Sequence, residues 1–262
     1  MKILFSGDVA WSTGRKTLAE SLNIIKNQYG KPDFTVINCE NAAHGKGMTE
    51  KIFNEFISLG VDAMTSGNHI WDKSIFYDIL DSETRVFRPA NYPNTCPGRG
   101  CGVVERKGKK LGILNLQGQA FMPSIDSPFL CADLMLEELK SKYGENLPVL
   151  VDFHAEATSE KQALGYYLDG RVSAVLGTHT HVQTADEKIL HNGTAFICDV
   201  GMTGGHGGLI GVSKESAMPK FLTGLPVMFE ECTEEPMFNG VMIQVNDDSG
   251  LAENISRIQI KF

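Results

Sequence analysis

The sequence predicts an α/β fold in which two β-α layers meet at one edge as a two-sheet sandwich flanked by helices. Three observations carry that expectation. Residues 2–80 read β-α-β-α-β, a run that implies a parallel sheet with right-handed crossovers. A second run of apolar strands and helices follows over residues 103–176. The strands of both runs end in short polar clusters, and in open α/β sheets ligands sit outside the carboxyl ends of the strands.

Residues 2–6 read as a short buried strand with Gly7-Asp8 at its carboxyl end. Residues 15–29 read as a helix, because Leu18, Leu22, Ile25 and Tyr29 fall along one face. Gly30 and Pro32 stop it. Residues 34–38 are a second strand, ending at Cys39-Glu40-Asn41. Residues 49–59 form an amphipathic helix with Ile52, Phe53, Phe56 and Ile57 inward. Residues 61–65 are a third strand, ending at Ser66-Gly67-Asn68-His69, and a helix covers residues 73–80.

Residues 87–102, rich in Pro, Asn, Cys and Gly, read as a loop. A hairpin follows, with strands over 103–105 and 111–116. Residues 130–143 are helical, and the strand 149–153 ends at His154. Thr158 is placed to cap the next helix, with Glu160 in its first turn. The strand 172–176 ends at Gly177-Thr178-His179-Thr180-His181. His191-Asn192-Gly193 is a strong hairpin turn signal between 188–190 and 194–198. The glycine-rich residues 201–211 read as a mobile loop, and Arg257, Gln259 and Lys261 alternate with Ile258, Ile260 and Phe262 as a half-buried edge strand. No linker, repeat or low-complexity stretch interrupts the chain, so residues 1–262 read as a single domain.

Composition narrows the function classes. Lys and Arg total 24 against 32 Asp and Glu, a net charge of −8. That balance argues against extended nucleic acid as a partner. It leaves room for a small phosphate substrate, because bound metal ions reverse the local field. The six cysteines are scattered with no Cys-x-x-Cys pair, which fits a reduced cytoplasm better than a disulfide framework. The apolar runs are too short for a membrane span or a signal peptide. The expectation is a cytoplasmic protein with no membrane partner.

The strand-end residues Asp8, Glu40, Asn41, Asn68, His69, His154, His179 and His181 carry the chemistry. Singly, each has an ordinary explanation as a cap, a loop hydrogen-bonder or a satisfied polar residue. Collected at strand ends, they offer more ligands than one ion needs. Carboxylate, amide oxygen and imidazole together suit manganese, iron or zinc. Glu40, in the middle of the set, is the candidate bridge. In an extended segment His179 and His181 point the same way, so each reaches a different ion. Two ions about 3.5–4 Å apart can hold a hydroxide and clamp an in-line phosphoryl displacement. His69, next to Asn68, is placed as the general acid. His44 and His206 are candidate substrate contacts, the latter if its glycine-rich loop closes. No Gly-x-Gly-x-x-Gly or Walker loop follows a strand.

Gly7-Asp8, Gly67-Asn68-His69 and Gly177-Thr178-His179-Thr180-His181, in that order, resemble the calcineurin-like metallophosphoesterase superfamily. Residues 38–43, 151–161, 177–186 and 199–204 resemble its YmdB-like bacterial branch. The resemblance implies a four-layer α/β/β/α sandwich of two mixed sheets flanked by helices. It implies two iron or manganese ions, one on Asp8, Glu40, Asn41 and His181, the other on Glu40, Asn68, His154 and His179. It implies His69 as catalytic acid or transition-state stabiliser, hydrolysis of phosphodiesters including 2′,3′-cyclic nucleotides, and a homo-oligomer. Two features depart from these patterns. Ala10 stands where most of the superfamily has histidine, which fits the branch, where Asn41 makes up a ligand. Residues 9–15 stand where the branch usually has a Gly-rich, Pro-containing turn, with the bulky Trp11 placed to narrow the site, stack a base or simply pack. The alternatives are a phosphomonoesterase on the same site and a metal-dependent nucleotide-binding regulatory module.

Overall fold

The computed structural model describes residues 1–262. In chain order its elements are β1 (Lys2–Ser6), β2 (Asp8–Val9), α1 (Trp11–Gln28), β3 (Phe34–Asn38), α2 (Glu50–Ser58), β4 (Ala63–Thr65), α3 (Tyr77–Ser82) and β5 (Val86–Phe87). Then come β6 (Cys101–Arg106), β7 (Lys109–Gln117), α4 (Pro128–Tyr143), β8 (Val149–His154), α5 (Thr158–Tyr167), β9 (Ala174–Thr178), β10 (Lys188–Ile189) and β11 (Ala195–Ile197). The last are β12 (Met202–Gly205), α6 (Lys214–Thr223), β13 (Pro236–Val245) and β14 (Ala252–Lys261).

Alternation along the strands builds the layers, because successive side chains point to opposite faces. In β1, Ile3 and Phe5 face an inter-sheet core, while Leu4 packs against helices. In β8, Leu150 joins the inter-sheet core, while Val149, Val151 and Phe153 turn to the other helical layer. Leu18 and Ile25 of α1 and Phe53 and Phe56 of α2 cover one sheet. Leu136 and Leu139 of α4 and Leu164 of α5 cover the other. Three apolar interfaces thus separate four layers, α/β/β/α.

The first sheet has eight strands in the order β2-β12-β13-β1-β3-β4-β5, with β14 also on β13. The second has six, β10-β11-β9-β8-β7-β6. Both are mixed. In the first, β1, β3, β4 and β5 run parallel and β13 antiparallel to β1. In the second, β7, β8, β9 and β11 run parallel, with antiparallel hairpin partners at both edges. The parallel strands of both sheets deliver their carboxyl ends to one region. The tail strand β14 lies at the edge, paired only with β13.

Several local expectations are corrected. Helix α1 begins at Trp11, not at residue 15. Its first-turn donors are met from far away, since Glu231 accepts from Thr13 N (2.6 Å), Thr13 Oγ1 (2.7 Å) and Ser12 Oγ (2.9 Å). Residues 73–80 divide into a short 3₁₀ turn, Ser74–Phe76, and α3. Ala157, not Thr158, occupies the N-cap of α5, with no side-chain cap bond. Glu160 instead accepts from Gln119 N (2.8 Å) and Ala120 N (3.2 Å). The stretch 201–211 is not simply a loop. It contains the buried strand β12, which pairs with β2 and β13. Glycine content suggested mobility there, but backbone pairing holds the segment.

Candidate active site

Leu150, Asp152 and His154 share the face of β8 that is turned to the opposite sheet. A carboxylate at that depth needs partners. Asp152 accepts from Asn38 Nδ2 (2.9 Å), from the Thr65 hydroxyl and from Thr178 Oγ1 (2.7 Å). Strands β3 and β4 of one sheet therefore grip a side chain of the other. Burial pushes the Asp152 carboxyl up to about 7. The single proton of the Thr178 hydroxyl is given to Asp152, so Thr178 accepts from His154 Nδ1 (2.9 Å). His154 Nε2 is left facing Glu40 Oε1 at 2.9 Å and His179 Nδ1 at 3.1 Å.

Glu40, His154 and His179 bring ligand atoms within 4.8 Å of one another. A Cβ on Gly67 would collide with Glu40 Oε2 and the His154 ring. Glycine is thus required where the β4 end passes them. Asp8, Asn41 and His181 make a second group. Asn41 Nδ2 donates to Gly45 O (2.9 Å), which turns its Oδ1 to His181 Nε2 at 3.3 Å. The other ring nitrogen of His181 donates to Ile210 O (3.1 Å). Asp8 Oδ1 lies 3.9 Å from His181 Nε2, and Asp8 Oδ2 accepts from His179 N (3.2 Å).

The segment that carries His179 and His181 is not extended, as the spacing suggested. Both residues lie beyond the end of β9 with φ of 97° and 66°. Asp199 holds this turn. Its Oδ2 accepts from Thr180 N (3.1 Å), Thr180 Oγ1 (2.7 Å) and Lys161 Nζ (2.7 Å), and its Oδ1 from Gly201 N (2.8 Å).

The electrostatics call for a cation. Burial pushes the Glu40 carboxyl up, but the charge and hydrogen bond of His154 outweigh it, with His69 adding, and the net value is about 2. Burial pushes His154 down, yet Glu40, Asp8 and Asp152 outweigh it and raise the imidazole to about 9. Burial, with His154 beside it, drops His179 to about 3. Burial raises the Asp8 carboxyl. Asp8 Oδ1 and Asn68 Oδ1 are buried with no hydrogen-bond partner, which costs on the order of 1–3 kcal/mol each if nothing binds them. Those orphaned oxygens, among carboxylate, amide and imidazole donors, fit divalent metal ions.

A cavity of 420 Å³ opens over this cluster, a size suited to a small ligand. Glu40, Asn41, His179 and His181 line its polar side, with His69. His69 Nδ1 lies 3.0 Å from Asp72 Oδ2, and His69 N donates to Glu40 Oε2 (3.2 Å). Trp11, Ile210, Val212 and Phe229 line an apolar side, and His44 stands in the same cavity. Eight non-glycine residues have positive φ, and Trp11, His44, His179, His181 and Ile210 among them line this cavity. Such backbone costs about 1–3 kcal/mol per residue and collects at functional sites. His206 is not in the cavity wall; its Nε2 is 3.0 Å from Met202 O. A groove of 630 Å³ by Met1, Lys109 and Tyr143 lies at the opposite strand ends and holds no ligand cluster.

Sequence reasoning missed the supporting residues Asp72, Asp152, Lys161, Asp199 and Glu156, whose Oε2 lies 3.2 Å from His179 Nε2. Asp152 alone had a local signal, a charge inside the apolar run Val149-Leu150-Val151-Asp152-Phe153.

Residues 4–258 match the YmdB-like protein family. The chain is 50% identical to a 2′,3′-cyclic-nucleotide 2′-phosphodiesterase of Bacillus subtilis, over 99% of this chain and 97% of that protein. The solved structure of a hypothetical protein from Thermus thermophilus is similar with a TM-score of 0.91 and 40% identity, covering 100% of this chain and 99% of that one. The structure of a phosphatase from Mycoplasma pneumoniae has a TM-score of 0.90 and 34% identity, covering 100% and 93%.

Proposed function

The chain belongs to the YmdB-like family of calcineurin-like metallophosphoesterases, and from that premise we propose that it is a hydrolase of small phosphodiesters, 2′,3′-cyclic nucleotides first among them. The observation that carries the reading is the meeting of two ligand groups at Glu40 and Asp8, with Asp8 Oδ1 and Asn68 Oδ1 buried and unpartnered. Asp8, Glu40, Asn41 and His181 would hold one ion, and Glu40, Asn68, His154 and His179 the other. Iron or manganese suits this set. Such ions, when bound, supply positive charge to a phosphoryl group and bring the pKa of water towards about 7.

The chain's own residues do the rest. The Thr178 bridge to Asp152 fixes the His154 ring so that Nε2 faces the site. His69 Nδ1–H donates to Asp72 Oδ2, which orients the ring so that Nε2, when it also carries a proton, can give that proton to the leaving oxygen. Both sheets contribute ligands to the one cleft, which supports reading residues 1–262 as one domain. Six free cysteines support a cytoplasmic location, and no helix is long and apolar enough to cross a membrane.

The test uses protein purified without chelator or histidine tag. Elemental analysis should find about two iron or manganese ions per chain. Turnover of bis-p-nitrophenyl phosphate and of 2′,3′-cyclic AMP should vanish on metal removal. His69→Ala should keep the metal and lose turnover; full turnover in that variant would remove His69 as the general acid, and no turnover in the metal-loaded wild type would favour a binding role over catalysis. Faster hydrolysis of a monoester than of the cyclic diester would favour a phosphomonoesterase.

A further inference from the structure

We propose that the apolar side of the cleft, formed by Trp11, Ile210, Val212 and Phe229, is a nucleobase subsite that makes the enzyme prefer nucleotides to base-free cyclic phosphates. The inference rests on the phosphodiesterase reading and adds what the rest of the substrate meets. One cavity contains both walls, so a ligand whose phosphate lies against Glu40 and His181 has its remainder within reach of the apolar side chains.

Two of those side chains are left open. Ile210 is 59% exposed and Phe229 40%. An exposed aromatic and aliphatic wall inside a polar cleft is the common form of a small-ligand site, in which polar groups orient and apolar ones bind. The backbone beneath it is strained as well. Ile210 has φ of 46° and Trp11 has φ of 61°, and a β-branched residue rarely adopts such a conformation. Strain of this kind persists only where the surroundings impose it.

The surroundings in question are the metal-ligand candidates. The carbonyl of strained Ile210 accepts from His181 Nδ1 at 3.1 Å. The N–H of strained Trp11 donates to Asn41 O at 2.9 Å. The wall is therefore referenced to the phosphate end of the cleft through two direct hydrogen bonds. Trp11 is further seated on Gly45, where an added Cβ would fall 2.6 Å from indole Cζ2. A planar group held against this wall would chiefly stack, since Ile210, Val212 and Phe229 carry no side-chain donor or acceptor and the indole N–H of Trp11 is the wall's one donor. All four bases should be accepted, with purines ahead because they stack over a larger area.

The experiment compares 2′,3′-cyclic AMP with 1-O-methylribofuranose 2,3-cyclic phosphate, the same cyclic diester without a base. In the metal-loaded enzyme kcat/KM should favour the nucleotide by about 10-fold or more. Phe229→Ala should cut that preference by about 10-fold, mainly through KM. Gly45→Ala, which pushes on the indole, should cut it too. Phe229 is half-exposed, so its truncation spares the core. A second readout is binding of adenosine to chelator-treated protein by calorimetry, expected for the wild type and lost in Phe229→Ala. Equal turnover of the two diesters, or an unchanged preference in Phe229→Ala, would overturn the subsite and leave the phosphodiesterase reading standing. Adenosine binding that is lost in Phe229→Ala, in a protein that cleaves neither diester, would support the subsite and remove the phosphodiesterase reading.

Discussion

The two ligand groups of the cleft are built on different foundations. Glu40, His154 and His179 sit over the strand ends, and His154 is the last residue of β8 with no exposed surface. Its ring is fixed by Thr178 and Asp152, which Asn38 and Thr65 tie to the opposite sheet. Asn41 and His181 instead take their orientation from loop carbonyls, those of Gly45 and Ile210. His154 inherits the rigidity of two packed sheets, and Asp8, buried in β2, shares it. Asn41, His181 and His179, which stands on the same turn as His181, inherit that of loops, and loops open at lower free energy than core strands. The difference teaches that one cleft can set strand-held candidate ligands beside loop-held ones.

The largest expected effect tests this contrast directly. His154→Ala removes a proposed ligand and leaves Glu40 buried without its imidazole partner. Both metal content and kcat on a diester should collapse, the latter by at least about 10³-fold, given the several kcal/mol that metal ions supply to a phosphoryl transition state. His181→Ala should lose kcat to a similar extent at limiting metal but retain the ion of the deeper group. Elemental analysis of the two variants side by side decides it. Equal metal loss in both would dissolve the distinction between the halves.

The next effect bears on the turn that serves both groups. Lys161 and Asp199 form a buried ion pair at 2.7 Å, and Asp199 also anchors Thr180 between the two histidines. Lys161→Met leaves that carboxylate without its cation. Breaking a buried pair in this way costs about 3–5 kcal/mol, a fall of roughly 10 °C in Tm for a chain of this size. Thermal melting with metal bound should show it. A shift under about 2 °C would mean that the hydrogen bonds alone hold the turn.

How much of this was legible in the sequence follows the same division. The strands were, because the parity that makes Ile3, Phe5 and Leu150 core residues is written in consecutive letters. So was the gathering of the candidate ligand residues, since each ends a strand or follows it closely. The supporting residues were not. Asp199 matters because it meets Lys161 and Thr180, and no spacing announces those contacts. The start of α1 was invisible for the same reason, since Glu231 satisfies it across more than two hundred residues. The left-handed backbone at His179 and His181 had no signal either, because histidine is not a turn residue in the way that glycine is. Local pattern is readable where the backbone's own period creates it. Long-range polar satisfaction is a property of the closed fold.

The smallest expected effect sharpens the contrast through protons. Without metal, His154 has its pKa raised to about 9 by Glu40, Asp8 and Asp152 against the opposing effect of burial. It is therefore protonated at pH 7, and an ion entering the deep group must expel that proton. His179, lowered to about 3, is already neutral and releases nothing. Metal affinity should then rise by up to about tenfold per pH unit between pH 7 and 9, one proton's worth, and level off above. Stability of the chelator-treated protein should move the other way. A histidine whose folded pKa exceeds its unfolded value stabilises fully below about 6.5 and loses that contribution as pH rises through the folded value. Asp152, raised to about 7, adds to the decline only below pH 7, and His179 opposes it only below about 6.5. The thiols of Cys39, Cys101, Cys131 and Cys198, raised by burial, steepen the decline as pH nears 9, so the difference between wild type and His154→Gln isolates His154. Melting curves of metal-free protein at pH 7 and pH 9 should show a lower Tm at the higher pH, and His154→Gln should reduce that difference. An undiminished slope in His154→Gln would assign the proton to another group, and the deep half would no longer be the one that exchanges a proton for metal.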